Sequence, residues 1–252
     1  MTTLRRTARL TGLAYLALAL AGMTGFLGIR NLLYVPDDAA ETVANLVEHE
    51  TLARLGIASD LFLVVFQCLA ALGFYRLYRR IDRWAAGSLA AFGFMNSVAI
   101  MAATMFSVGA LSAALDGAAA PGGDQAATVA LLADLYDAAW STGSLFFGLW
   151  LVPMGWLVRR SGWGPVVMAW FLMVGGVGYV LSAFSAHLLP DATVLTELLA
   201  GPATVGELWM VAYLLVRGVP DRVASLPDSG QPLATLATGS GPAPAAPVTA
   251  PA

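Results

Sequence analysis

Leu55 to Tyr75 reads LGIASDLFLVVFQCLAALGFY. Apart from Asp60 and Gln67 the run is largely apolar, and it matches the roughly 20 residues a helix needs to cross a ~30 Å hydrocarbon layer. Asp60 and Gln67 stand seven residues apart, two helical turns, so they share one face. Lipid satisfies neither a carboxyl group nor an amide, so that face is expected to turn toward protein or a polar cavity.

The rest of the chain has the same character. Of 252 residues, 58% are hydrophobic and 12% charged, about half the ~25% charge of a soluble domain. The mean hydropathy is +0.74. The fold class read from this is all-α integral membrane, a bundle of six transmembrane helices. Span one covers about Leu10 to Ile29; a basic start and Ala19-Leu20-Ala21 also fit a secretory signal, but the apolar run onward to Ile29 favours an uncleaved helix. Span two is about Gly56 to Tyr75 and span three about Trp84 to Leu111. Span four follows a helical lead-in after Asp124 and ends at Arg159 and Arg160; span five starts at Pro165 and runs to about Leu189. Span six lies in TVLTELLAGPATVGELWMVAYLLVRG, where Gly201-Pro202 is expected to kink it. Residues 1–220 form the membrane domain, and the Pro/Ala-rich stretch 221–252 is a cytoplasmic tail whose composition cannot bury enough apolar surface to order itself.

Between spans one and two, Asp38 and Glu41 make a capping-box pattern, and Val43, Leu46 and Val47 recur at helical spacing. A short amphipathic helix at the outer surface, Asp38 to about Glu50, is expected there. The arginines orient the whole. Arg5, Arg6, Arg9, Arg76, Arg79, Arg80, Arg83, Arg159, Arg160, Arg217 and Arg222 fall on one side, against Arg30 and Arg54 on the other. The positive-inside bias then makes both termini cytoplasmic in a multi-pass protein of the cell membrane.

Four stretches carry a resemblance: ARLTGLAYLALALAG in span one, LVEHETLARLGIASDLFLVVFQCLAALGFYRLYRRIDR across span two, GSLFFGLWLVPMGWLVRRSGWGP and GELWMVAYLLVRG. In order and spacing the chain from about Ala8 to Val216 resembles a bacterial membrane family known as domain of unknown function DUF4386. The resemblance implies a six-helix membrane protein and brings no activity, ligand or catalytic residue with it.

No soluble catalytic pattern is present. GGVGYV, Gly175 to Val180, lies mid-span with no preceding strand, and Gly175, Gly178, Ser182 and Ser185 form a small-residue packing stripe. Cys68 is alone and reads as a small buried hydrophobe. His49 and His187 read as interfacial polar residues, and Trp84, Trp140, Trp156 and Trp163 as belt or packing aromatics. All 13 basic residues are arginine, in no tract dense enough for nucleic acid. Neither a nucleophile–base pair nor a metal set is evident, so an enzyme is the less favoured class and no cofactor or metal is expected.

What remains is polar residues at depth: Asp60, Gln67, Asn96, Asp137, Ser141 and Glu207. Asp134, Asp137, Ser141, Ser144 and Gly148 step by three and four along one face, and Glu207 lies ten residues before Arg217, about 15 Å from the membrane edge. A charge at such depth costs at least ~2.5–3.5 kcal/mol, whereas interhelical hydrogen bonds average only ~0.6 kcal/mol. Two functions follow. In the first, Asp60, Asp137, Ser141, Gln67, Asn96 and Glu207 line one outward-opening cavity, Asp60 nearer its mouth and Glu207 deeper with Gln67 and Asn96 as its nearest polar neighbours, and the cavity binds or passes a proton, cation or small amine. Alternatively, the interior polar groups only fix helix packing in a membrane scaffold or partner subunit. Expected partners are thus the lipid bilayer, a small cation or amine, and a membrane protein. In either case no acid has an arginine at comparable depth on this reading.

Overall fold

The computed structural model describes residues 3–117, 120–189 and 193–219. The tail expected at 221–252 lies outside the described residues. Within them the regular structure is helical, with no strand. Helix α1, Thr3–Gly22, continues through a π-helical stretch, Met23–Arg30, into the short α2, Asn31–Leu33. Then come α3, Ala39–Glu48, α4, Glu50–Tyr78, α5, Arg83–Leu115, α6, Gln125–Ser161, α7, Val166–Leu188, and α8, Thr193–Val216. Among the described residues six helical segments, Leu4–Leu33, α4, α5, α6, α7 and Leu198–Val216, are long and apolar enough to cross a membrane. This is the architecture of a multi-pass membrane protein.

The distribution of side chains agrees with that solvent. On α4 the exposed face carries Leu61, Phe62, Val65, Leu69 and Leu72, while the buried face carries Asp60, Leu63, Gln67, Ala70, Ala71 and Phe74. On α5 Met95, Val98, Met101, Met105 and Val108 point outward, and alanines, serines, a threonine and Asn96 point inward. Large apolar residues cost nothing against lipid tails, whereas small and polar ones belong where helices touch.

Local sequence sets the helix ends. Asp38, Asp82 and Asp124 cap α3, α5 and α6, each accepting a hydrogen bond from the backbone N–H three residues on, Glu41, Ala85 and Ala127. Gly162, at φ 66°, closes α6 in the left-handed conformation. Helix α3 exists as the spacing predicts, but it stops at Glu48, and His49 separates it from α4. Its covered residues are Thr42 and Leu46, and Val47 is exposed. Helix α8 remains helical through Pro202, and α6 through Pro153.

Each spanning helix packs on its neighbour in the chain: α1 on α4, α4 on α5, α5 on α6, α6 on α7 and α7 on α8. Helix α8 then packs on α1 and closes a ring. The expected small-residue stripe of α7 lies in one of these seams. Gly175 and Gly178 face Ala203 and Leu199 of α8 with no room for a side chain, and Ser182 and Ser185 are buried.

Span one departs from expectation. Its helix continues past Ile29 to Leu33, with Arg30 inside it. Between Met23 and Arg30 this helix is wound as a π-helix, an uncommon geometry often found at functional sites.

Candidate functional site

The π-helical stretch is pressed against α4. A Cβ at Gly25 would stand 3.1 Å from Ser59 Cβ and 3.3 Å from Asp60 Oδ1, and one at Gly56 3.1 Å from Ile29 Cγ2. Glycine at both positions lets the two backbones approach and brings Ile29 and Arg30 over the Asp60 face. There the helices enclose a cavity of about 30 Å3, enough for water-sized occupants. Asp60, Arg30, Tyr34, Ser107 and Tyr136 supply its polar lining, and Ile29, Leu33, Leu46, Ile57 and Leu111 the apolar walls.

Asp60 is 5% exposed. Its Oδ2 accepts a hydrogen bond from the Tyr136 hydroxyl at 3.3 Å, and its Oδ1 lies on the side of Gly25. Arg30 is held by stacking more than by charge. Its Cζ lies 4.0 Å from the Tyr136 ring centre and 4.2 Å from that of Tyr34. A desolvated cation–π contact of this kind is worth up to about 2 kcal/mol. Beyond Tyr136 the stack continues through Trp140 (5.9 Å, 8°) to Phe26 (4.9 Å, 8°), back on the π-helical stretch. From Arg30, Nη2 donates to Asp137 Oδ1 at 2.9 Å and to the Ala133 carbonyl at 3.3 Å. Burial pushes the Tyr34 hydroxyl above its ordinary pKa, so it stays a neutral group beside the guanidinium.

The structure thus corrects one expectation: Arg30 pairs with Asp137 and lines the same cavity as Asp60. Asp137 is 60% exposed at its side chain, so the pair lies at the rim of the site, and an exposed ion pair contributes at most ~1 kcal/mol. Asp134 is exposed as well. Ser141 is half-buried, and its carbonyl accepts from the Ser144 hydroxyl at 2.6 Å.

The deeper candidates lie elsewhere. One turn inward from Asp60, Leu63 on α4 is buried, as is Ile100 on α5. One turn beyond these come Gln67 and Asn96, 1% and 2% exposed. The contact of their neighbours, Cys68 Sγ to Ser97 Oγ at 3.4 Å, puts them at one level. Gln67 Oε1 and Asn96 Nδ2 have no hydrogen-bond partner among the described residues. Glu207 is half-buried and accepts a hydrogen bond at Oε1 from the hydroxyl of the buried Tyr15. Tyr15 packs edge-on against Phe74 (5.5 Å) and Trp150 (5.9 Å). Fifteen residues of helix separate Tyr15 from Arg30, about 20 Å along the bundle at ~1.5 Å per residue.

Asp60 and Glu207 therefore do not share one cavity: of the six candidates only Asp60 lines it. Nor are Gln67 and Asn96 the partners of Glu207; Tyr15 is. The physical reason is that a tyrosine hydroxyl on an adjacent helix satisfies a carboxyl group as well as a cavity does, and it needs no water. His49 and His187 are exposed at helix ends, and among the described residues no three His, Cys, Asp or Glu gather as metal ligands would. Sequence reasoning missed Arg30, Tyr136 and Tyr15. Tyr136 did carry a signal, sitting beside Asp137 four residues before Trp140.

The model of the family Domain of unknown function (DUF4386) matches residues 10–218. The chain belongs to this family. The match covers all six spanning helices from Leu10 onward, with the residues of the Asp60 cavity inside it. No curated protein and no solved structure matches the chain. Family membership therefore carries the fold and leaves the chemistry to the geometry.

Proposed function

We propose that this membrane protein takes up a proton, or failing that a small cation or amine, at Asp60 from the outer face of the cell membrane. One observation carries the reading: a carboxyl group 5% exposed, with a single side-chain hydrogen bond among the described residues, lines a cavity of water size. Ordinary ligand pockets are about 300–1,000 Å3, so the volume favours the smallest occupant. A metal ion or ammonium would have to shed its water beside the Arg30 guanidinium. A proton needs no space and leaves the carboxyl group hydrogen-bonded to Tyr136.

Passage through the bundle is not part of this reading, because Leu63 and Ile100 lie between the Asp60 cavity and the Gln67–Asn96 level. Asp137 would act through Arg30 at the rim, and Ser141 further along the same helix. The scaffold reading is favoured at Glu207, whose bond to Tyr15 joins α8 to α1 across the ring seam. Gln67 and Asn96 are assigned to neither.

Infrared titration of the purified protein in liposomes tests the proposal. The wild type should show a carboxylic-acid band that exchanges with pH and disappears in Asp60→Asn, whereas Glu207→Gln leaves that band in place. An unchanged band in Asp60→Asn would sink the assignment.

The orientation rests on the arginine split: both termini are cytoplasmic and α3 is on the outer side. Reporter fusions after Arg83 and after Arg160 should both be active inside the cell. If both report the outer side, the cavity opens inward and the direction of uptake reverses.

A further inference from the structure

At the opposite end of the bundle from Arg30, an open groove of about 540 Å3 lies between the start of α7 and the end of α8. Its wall on α8 runs from Trp209 through Ala212 to Val216 and ends at Arg217. Trp209, Ala212 and Val216 belong to the exposed face of that helix, Val216 being 79% exposed. Its floor is built: Trp163 stacks on Tyr78 at 5.4 Å and on Tyr213 at 6.0 Å, and the Tyr213 hydroxyl is fixed by donating to the Trp163 carbonyl. Over eight residues, about 12 Å of helix, the groove passes from apolar to cationic where the hydrophobic span ends.

We infer that this groove seats one anionic phospholipid, its phosphate against Arg217 and the start of its acyl chains along Val216, Ala212 and Trp209. The gradient matches an amphiphile entering sideways from the bilayer, and interfacial tryptophan and tyrosine rings suit the glycerol region. Charge selects the headgroup, since a basic residue at the membrane surface attracts anionic lipid. The chain's own continuation is not the occupant favoured by the geometry. After Gly218 the backbone turns toward α1, where Arg5 Nε donates to the Val219 carbonyl at 3.5 Å.

The full chain is purified, reconstituted in nanodiscs of phosphatidylglycerol or phosphatidylcholine, and its melting temperature and lipids retained in native mass spectrometry are measured. The expected result is preferential retention of phosphatidylglycerol and a higher melting temperature with it. Arg217→Gln should weaken retention about fivefold, the factor for one basic residue near the surface. Ala212→Trp, which fills the groove and keeps the charge, should abolish retention while the melting temperature in phosphatidylcholine stays close to that of the wild type. Equal losses from Arg83→Gln, a basic residue outside the groove, would show diffuse surface attraction and overturn the site. An equal stabilisation by inorganic phosphate in detergent would overturn the lipid assignment.

Discussion

Gly148→Leu will fail to assemble the bundle. A Cβ at position 148 would meet backbone atoms of α7 itself: 2.5 Å from the Gly176 carbonyl oxygen and 2.8 Å from the Val180 nitrogen. Neither can rotate away, so α6 and α7 must separate along their seam, with Gly155 in the same situation against the Ala169 carbonyl. Overpacking a core commonly costs ~1–3 kcal/mol, and displacing a whole helix pair exceeds that. Gly148→Ala should already lower the melting temperature in detergent steeply, and Gly148→Leu should leave no monodisperse protein. Gly87→Ala is the internal control. Nothing lies within 4 Å of its added methyl, and replacing glycine inside a helix stabilises by ~0.5–1 kcal/mol. A Gly148→Leu protein that purifies with wild-type stability would show that the α6–α7 contact is not as close as described.

Trp150→Ala comes next in size. Trp150 is 1% exposed and is the largest fully buried side chain. It packs edge-on against Phe74 at 5.5 Å and Tyr15 at 5.9 Å, with its ring over Gly93 of α5. In a water-soluble core this truncation costs ~3–5 kcal/mol, part of it transfer free energy. In a membrane the unfolded side chain faces lipid as apolar as the core, so the transfer part shrinks and the cavity and lost dispersion remain. The expected loss is therefore at the low end, about 3 kcal/mol. Refolding or thermal unfolding in mixed micelles measures it, and Trp150→Phe should recover roughly half. A loss below about 1 kcal/mol would mean that neighbouring rings collapse into the space, as cores with adaptable surroundings do.

The hydrophobic runs made the fold legible. Apolar length identified the spans, Asp38 stands at the start of α3 as its capping pattern requires, and the small stripe of α7 sits in a helix seam. What the runs conceal is winding and partnership. A π-helical turn leaves no mark on the hydrophobic pattern of GFLGIR, so Arg30 looked like the end of a span instead of part of a site. Counting arginines by side of the membrane also treats each as a solvated charge, whereas Arg30 is 11% exposed between two tyrosine rings. Tyr15 escaped notice because a tyrosine in an apolar run reads as bulk, and only the α1–α8 contact reveals its hydroxyl as the partner of Glu207. Asp60 was legible because nothing apolar accounts for a carboxyl group at that position.

The closed ring has a consequence for assembly. Because each span packs on the one made before it, a nascent bundle can grow by accretion, every new helix finding its docking face already in place. Only the last seam joins the two ends of the chain. Until α8 arrives, α1 and α7 are open edges and the Tyr15 hydroxyl has no carboxylate to meet. Glu207 is then the clasp of a bracelet, an acidic group that meets its partner only when the last helix is in place.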